Sequence, residues 1–141
     1  MILPDVNILL YAFRSDSVHH AAARSWLNSV VNGDEAYGMA PQVLCSVIRI
    51  ATHPRIFASP SRLEDALAFS RVLVEQPTCT PIHPGPRHFA IFEDLCRRGA
   101  ASGTLVQDAW FAALAVEAGC EWITTDGDYS RFPGLRWRRP F

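Results

Sequence analysis

The sequence predicts an α/β domain, a three-layer α/β/α sandwich around a central, mostly parallel sheet. Three observations carry this. Short β-prone segments alternate with helix-patterned stretches along the chain, the order that produces parallel strands covered on both faces. The chain has 141 residues, the usual size of one domain (taken as residues 1–141), and 49% are hydrophobic, enough for a sizeable core. Gly33, Pro41, Pro54 and Gly99 fall at boundaries between patterned stretches.

Taken in order, residues 1–3 suit a short buried strand, and the nearly continuous apolar run from Val6 to Phe13 suits a helix buried on most faces. Ser15 or Ser17 is placed to cap a helix from about Val18 to Val31, which Gly33 ends. Ala21, Trp26, Leu27, Val30 and Val31 give it an apolar stripe. Residues 36–39 can form a second strand. Pro41 sits where a third helix would begin, and "QVLCSVIRIAT" carries it toward Pro54. A fourth helix is expected over about residues 62–75, with Ser61 as cap and Glu64 three residues on. Residues 78–82 are β-prone. "GPRHFAIFEDLCRRG" reads as a helix with Pro86 in its first turn and Gly99 after its end. In "SGTLVQDAWFAALAVEAGC", Leu105, Ala109, Ala112, Ala113 and Val116 recur at helical spacing. A strand at residues 122–124 leads into the acidic turn "TDGDYSRF", and residues 135–137 can add a last strand.

Composition narrows the chemistry. All 13 basic residues are arginine, and formal net charge is −1. Without lysine, Schiff bases and Walker-type phosphate loops are excluded. Arginine suits bidentate phosphate contacts, although codon bias of the source genome explains the pattern equally well. No apolar run reaches membrane-spanning length, and no basic segment precedes the first apolar stretch, so a cytoplasmic protein without a signal peptide is expected. Cys45, Cys79, Cys96 and Cys120 are scattered without a C-x-x-C pair and are expected to be buried thiols.

The candidate site is built from carboxylates. In open parallel sheets, ligands bind beyond the carboxyl ends of the strands. Asp5 follows the first strand, Asp126 and Asp128 follow the strand at residues 122–124, and Asp108 lies in the first turns of the preceding helix. Each has a plainer reading alone: Asp5 as a helix cap, Asp126 and Asp128 as turn residues, Asp108 as an acid favoured by the helix dipole. Gathered at one sheet edge, they would repel each other unless a hard divalent cation, Mg²⁺ or Mn²⁺, lay among them.

The segments "PDVNILLYAF", "RIATHPRIF", "HPGPRHFAIFEDL" and "GTLVQDAWFAALAVEAGCEWITTDGDYSRFPGLRW" resemble, in order, the PIN-domain ribonucleases, and in particular the VapC-type toxins of type II toxin–antitoxin pairs. The resemblance implies a metal-dependent endoribonuclease that inhibits translation and growth. It implies an RNA substrate, a cognate VapB-type antitoxin, and a homodimer bridged into a larger toxin–antitoxin complex. Residue by residue, Asp5, Asp108 and Asp126 match the family's catalytic and metal-site aspartates, and Asp128 the second acid of the last motif. Asn7 matches the polar residue beside the first aspartate. Thr125 is taken as the small hydroxyl residue before the last acid. In many relatives a glutamate stands three residues before the arginine equivalent to Arg49. Here that position is Ser46, which removes one negative charge and puts two-metal chemistry in doubt. The cleavage implied leaves 5′-phosphate and 3′-hydroxyl ends.

Other residues give weaker signals. Arg49, Arg55 and Arg131 could steer phosphates, or be merely solvated. Arg136, Arg138 and Arg139 form a basic tail. The five histidines show no metal-like spacing and read as caps and surface residues. Trp26, Phe89, Phe92, Trp110 and Phe111 read mostly as core, with any exposed subset available to an antitoxin helix. A haloacid-dehalogenase-type phosphotransferase would want a second aspartate and a lysine, where this chain has Asn7 and none. A receiver domain also lacks its lysine. A non-catalytic PIN domain that binds RNA or antitoxin stays open because of Ser46.

Overall fold

The computed structural model describes all 141 residues. Five short strands, β1 (Ile2–Pro4), β2 (Tyr37–Met39), β3 (Cys79–Pro81), β4 (Glu121–Ile123) and β5 (Trp137–Arg138), form one sheet in the order β3-β2-β1-β4-β5. Every pairing is parallel, so "mostly parallel" understates the sheet. Six helices cover it: α1 (Val6–Phe13), α2 (His20–Val31), α3 (Pro41–Ala51), α4 (Leu63–Val74), α5 (His88–Arg98) and α6 (Thr104–Ala118). The chain steps outward from β1 to β2 to β3, then crosses back to place β4 on the other side of β1. With right-handed crossovers, this reversal puts α5 and α6 on the face opposite α1 to α4. It also makes the β1/β4 boundary the topological switch point, where a crevice opens beyond the strand ends.

A cluster of 24 buried residues fills the core, including Leu3, Tyr37, Trp122, Tyr129 and the Ala112–Ala115 run. The α6 helix is buried around most of its girth at Ala109 and Phe111–Ala115. Small alanines there let the helix lie close to the sheet. Gly119 ends it in the left-handed conformation (φ 68°), donating its N–H back to the last turn. No helix is long and apolar enough to cross a membrane.

Several local expectations are corrected. Helix α2 starts at His20 rather than Val18, and neither Ser15 nor Ser17 caps it. The Ser17 hydroxyl accepts from the His19 N–H instead. Ala23 and Leu27 are its buried residues, and Ala21 is exposed. Ser61 does not cap α4, whose N-cap is Arg62 with no side-chain bond. The Ser61 hydroxyl is taken by Arg14, a buried guanidinium that also binds Asp16 at 2.6 Å and lies 3.6 Å over the Phe57 ring. A long-range partner has displaced the local capping box. Pro86 lies before α5 rather than in its first turn, and β5 begins at Trp137. Only Cys120 is a fully buried thiol, and Cys45 is exposed. His88 is a core residue, 1% exposed, its Nε2 bonded to the Trp110 carbonyl at 3.0 Å. Phe89 is 59% exposed rather than core.

Candidate active site

Asp5 leaves β1 at its carboxyl end and is only 5% exposed. Its backbone N–H donates to the Ile123 carbonyl of β4 (2.9 Å), which ties it to the switch point. One carboxylate oxygen accepts from the Val6 N–H at 2.6 Å, so Asp5 does cap α1. The other accepts from the Thr124 hydroxyl at 2.6 Å. Capping and a site role are compatible, because a carboxylate offers two oxygens.

Thr124 is the hub of this corner. Besides donating to Asp5, its hydroxyl accepts from Asn7 Nδ2 (3.1 Å) and from the Asp126 N–H (3.0 Å). One proton and two lone pairs are thereby all used. The hydroxyl expected at Thr125 is in fact supplied by Thr124. The signal lay in strand period: Thr124 directly continues β4 and points inward, whereas Thr125 is half-exposed and makes no side-chain hydrogen bond. Asn7 donates one amide N–H to Thr124, and its Oδ1 is buried without a partner.

Asp126 begins a short 3₁₀ turn, Gly127–Arg131, and its side chain accepts from the Asp128 N–H at 2.8 Å. The turn turns Tyr129 inward, where its hydroxyl reaches Asp108 Oδ1 at 3.4 Å. Asp108 projects from the second turn of α6. It shares a cleft of about 150 Å³ with Asp5, Ser46, Arg49, Thr104 and Gln107. Of the arginines, Arg49 lines this cleft; Arg55 and Arg131 are exposed and do not.

Electrostatics mark the same residues. Burial pushes the Asp5 carboxyl up to about 7, against the hydrogen bonds from Thr124 and Val6, with the charges of Asp108 and Asp126 adding to the rise. Burial, then the charge of Asp126, pushes Asp108 up to about 6 despite the Tyr129 hydrogen bond, and Asp128 adds to it. Carboxylates from three separate segments therefore feel one another. No three histidine, cysteine, aspartate or glutamate side chains stand close enough to form a ready-made metal cage. The donor set still fits a hard cation: all-oxygen carboxylates, short of compensating charge, beside an unpartnered amide oxygen on Asn7.

The PIN domain family model matches residues 2–135. Ribonuclease VapC25 of Mycobacterium tuberculosis is 39% identical over 140 residues, covering 99% of each chain. Ribonuclease VapC43 of the same species is 37% identical, covering 99% of this chain and 95% of its own. Among solved structures, Rickettsia felis VapBC2, bound to a DNA fragment from its promoter, shares the fold with a TM-score of 0.71 at 14% identity, covering 99% and 98% of the two chains. Mycobacterium tuberculosis VapC20, a sarcin-ricin loop cleaving toxin, does so with a TM-score of 0.68 at 17% identity, covering 96% and 99%.

Proposed function

The chain belongs to the PIN-domain family, in its VapC branch, and from that premise we propose that it is a divalent-metal-dependent endoribonuclease acting as a cytoplasmic toxin. The observation that carries this is the pair of charge-starved carboxylates, buried Asp5 and half-buried Asp108, opening into one cleft at the switch point beside Asp126. Its named relatives are ribonucleases, which supports RNA as the substrate and inhibition of translation and growth as the outcome.

Asp5, Asp108 and Asp126 would hold Mg²⁺ or Mn²⁺, with Asp128 as a further acid on the exposed side. A cation bound there supplies Lewis-acid charge for a phosphate and eases deprotonation of water. The protein's own groups do the rest. Thr124 fixes the Asp5 carboxylate by a 2.6 Å hydrogen bond and, through the Asp126 N–H, sets the spacing of two acids. Arg49, on the cleft wall, offers a fork for the phosphate that the acids alone would repel. Ser46, 8% exposed on the same wall, brings no charge, which favours one strongly held cation over two.

The partner proposed is a VapB-type antitoxin, with toxin dimers bridged into a larger complex. Leu27, Val31, Phe69 and Val72 line an apolar groove between α2 and α4 that suits an apolar helix face. The solved VapBC complexes of shared fold support such a partner.

The test is cleavage of cellular RNA, read by mapping 5′ ends with and without Asp5→Ala. Loss of all new ends in a folded variant supports the enzyme; wild-type cleavage by the variant overturns it. Ser46 favours one rival, a non-catalytic module. RNA binding without cleavage at any Mg²⁺ or Mn²⁺ concentration would establish that instead.

A further inference from the structure

Tyr129 is 1% exposed, and its ring is packed between Trp122 (centroids 5.4 Å) and Phe132 (5.9 Å). A buried phenol in an apolar setting needs an acceptor for its proton. The acceptor is Asp108 Oδ1, 3.4 Å away. A phenol keeps its proton near neutral pH, so in this contact the tyrosine donates and the carboxylate accepts. The hydroxyl sits behind the acids, on the core side, joining the acidic 3₁₀ turn to α6.

We infer that Tyr129 is a positioning residue: from behind the acids its hydroxyl holds Asp108 Oδ1, which leaves the other oxygen of Asp108 available to a bound divalent cation. Two features of the geometry carry this. Asp108 has no other hydrogen-bond donor, so without Tyr129 its carboxylate is free to rotate about its side-chain torsions. And the ring is clamped by its aromatic neighbours, so the donor is a fixed point rather than a mobile one. Such outer partners commonly alter metal affinity by roughly 10–100-fold. The inference rests on the metal-dependent reading above.

The test uses the full chain without RNA. Mn²⁺ affinity is measured by calorimetry for wild type and Tyr129→Phe, a change that keeps the ring between Trp122 and Phe132. The melting temperature of the metal-free variant checks the fold. Mn²⁺ binding is expected to weaken about tenfold. The Mn²⁺ concentration giving half-maximal RNA cleavage should rise by the same factor, with the rate at saturating Mn²⁺ largely retained. A purely structural tyrosine would change the melting temperature and leave Mn²⁺ affinity alone. If wild type binds Mn²⁺ and Tyr129→Phe binds it equally well or more tightly, the positioning role falls while the metal site stands. If wild type binds no Mn²⁺, the metal-dependent reading falls and this role with it.

Discussion

The two ends of the sheet differ in the opposite sense from what their size suggests. At the amino end, a cavity of about 670 Å³ opens between the α2–β2 turn and β5, lined by Trp26, Tyr37, Asp34, Glu35, Glu121 and Arg138. At the carboxyl end, the acidic cleft has about 150 Å³. The charges of the larger space are paired or in water: Arg138 binds Glu121 at 3.0 Å, Arg136 donates to the Gly119 carbonyl, and Asp34 and Glu35 are exposed to solvent. In the smaller space, Asp5 and Asp108 are pushed toward the neutral form by burial and by each other's neighbours. The acids there lack a basic side chain bonded to them. Volume alone does not locate chemistry. Charge held out of water without compensation does.

The sharpest way to break this contrast is to remove one acid from each end. Asp108→Asn should lower RNA cleavage by more than the roughly 10–100-fold typical of outer partners of a metal site. Glu121→Gln should leave the rate unchanged, measured on the same RNA with the same Mn²⁺. An equal loss from both would mean that the ends are coupled.

The next effect is on stability. The Asp5 carboxyl titrates near 7 when folded and near 3.8 without the fold's influence. Between these values the folded state binds a proton that the unfolded state has released. Metal-free stability should therefore fall as pH rises from 4 to 7, by about 3–4 kcal/mol. Asp108 acts in the same direction. Denaturant titrations of metal-free protein across this range check it, and Asp5→Asn should flatten most of the slope. A rise in stability over the same range would show Asp5 to be compensated after all.

Thr124→Val keeps the shape of the strand and deletes the hub. Asp5 then loses a donor, and the Asp126 N–H and Asn7 amide lose an acceptor. Cleavage should drop about tenfold, and stability by about 1–3 kcal/mol for the groups left unpaired. Rate assays and thermal melts of one preparation separate the two. The smallest effect belongs to the amino end: Arg138→Ala breaks a half-exposed ion pair and should cost no more than about 1 kcal/mol. A larger loss there would give the cavity a structural weight that its charges do not suggest.

Much of this was legible in the chain before folding. Alternating β-prone and helical segments determined an α/β sheet, because side-chain period and chain punctuation are local properties. The β1–Asp5 and β4–Asp126 junctions, and Asp108 near the start of α6, follow from the same local reading. Tertiary structure alone decided which strands are neighbours. The order β3-β2-β1-β4-β5 depends on a crossover spanning α5 and α6, and only that order puts Asp5 beside Thr124 and Asp126. It also decided which of two adjacent threonines faces inward, since a one-residue change of register reverses every side chain. Ser61 went to Arg14 rather than to its own helix, and His88 and Tyr129 went into the core, because packing between distant segments outweighs local capping and polarity. The sequence determined which carboxylates were available. The fold decided that Asp5 would be buried, with Asp108 and Asp126 half-buried beside it, and burial is what raises the carboxyls of Asp5 and Asp108.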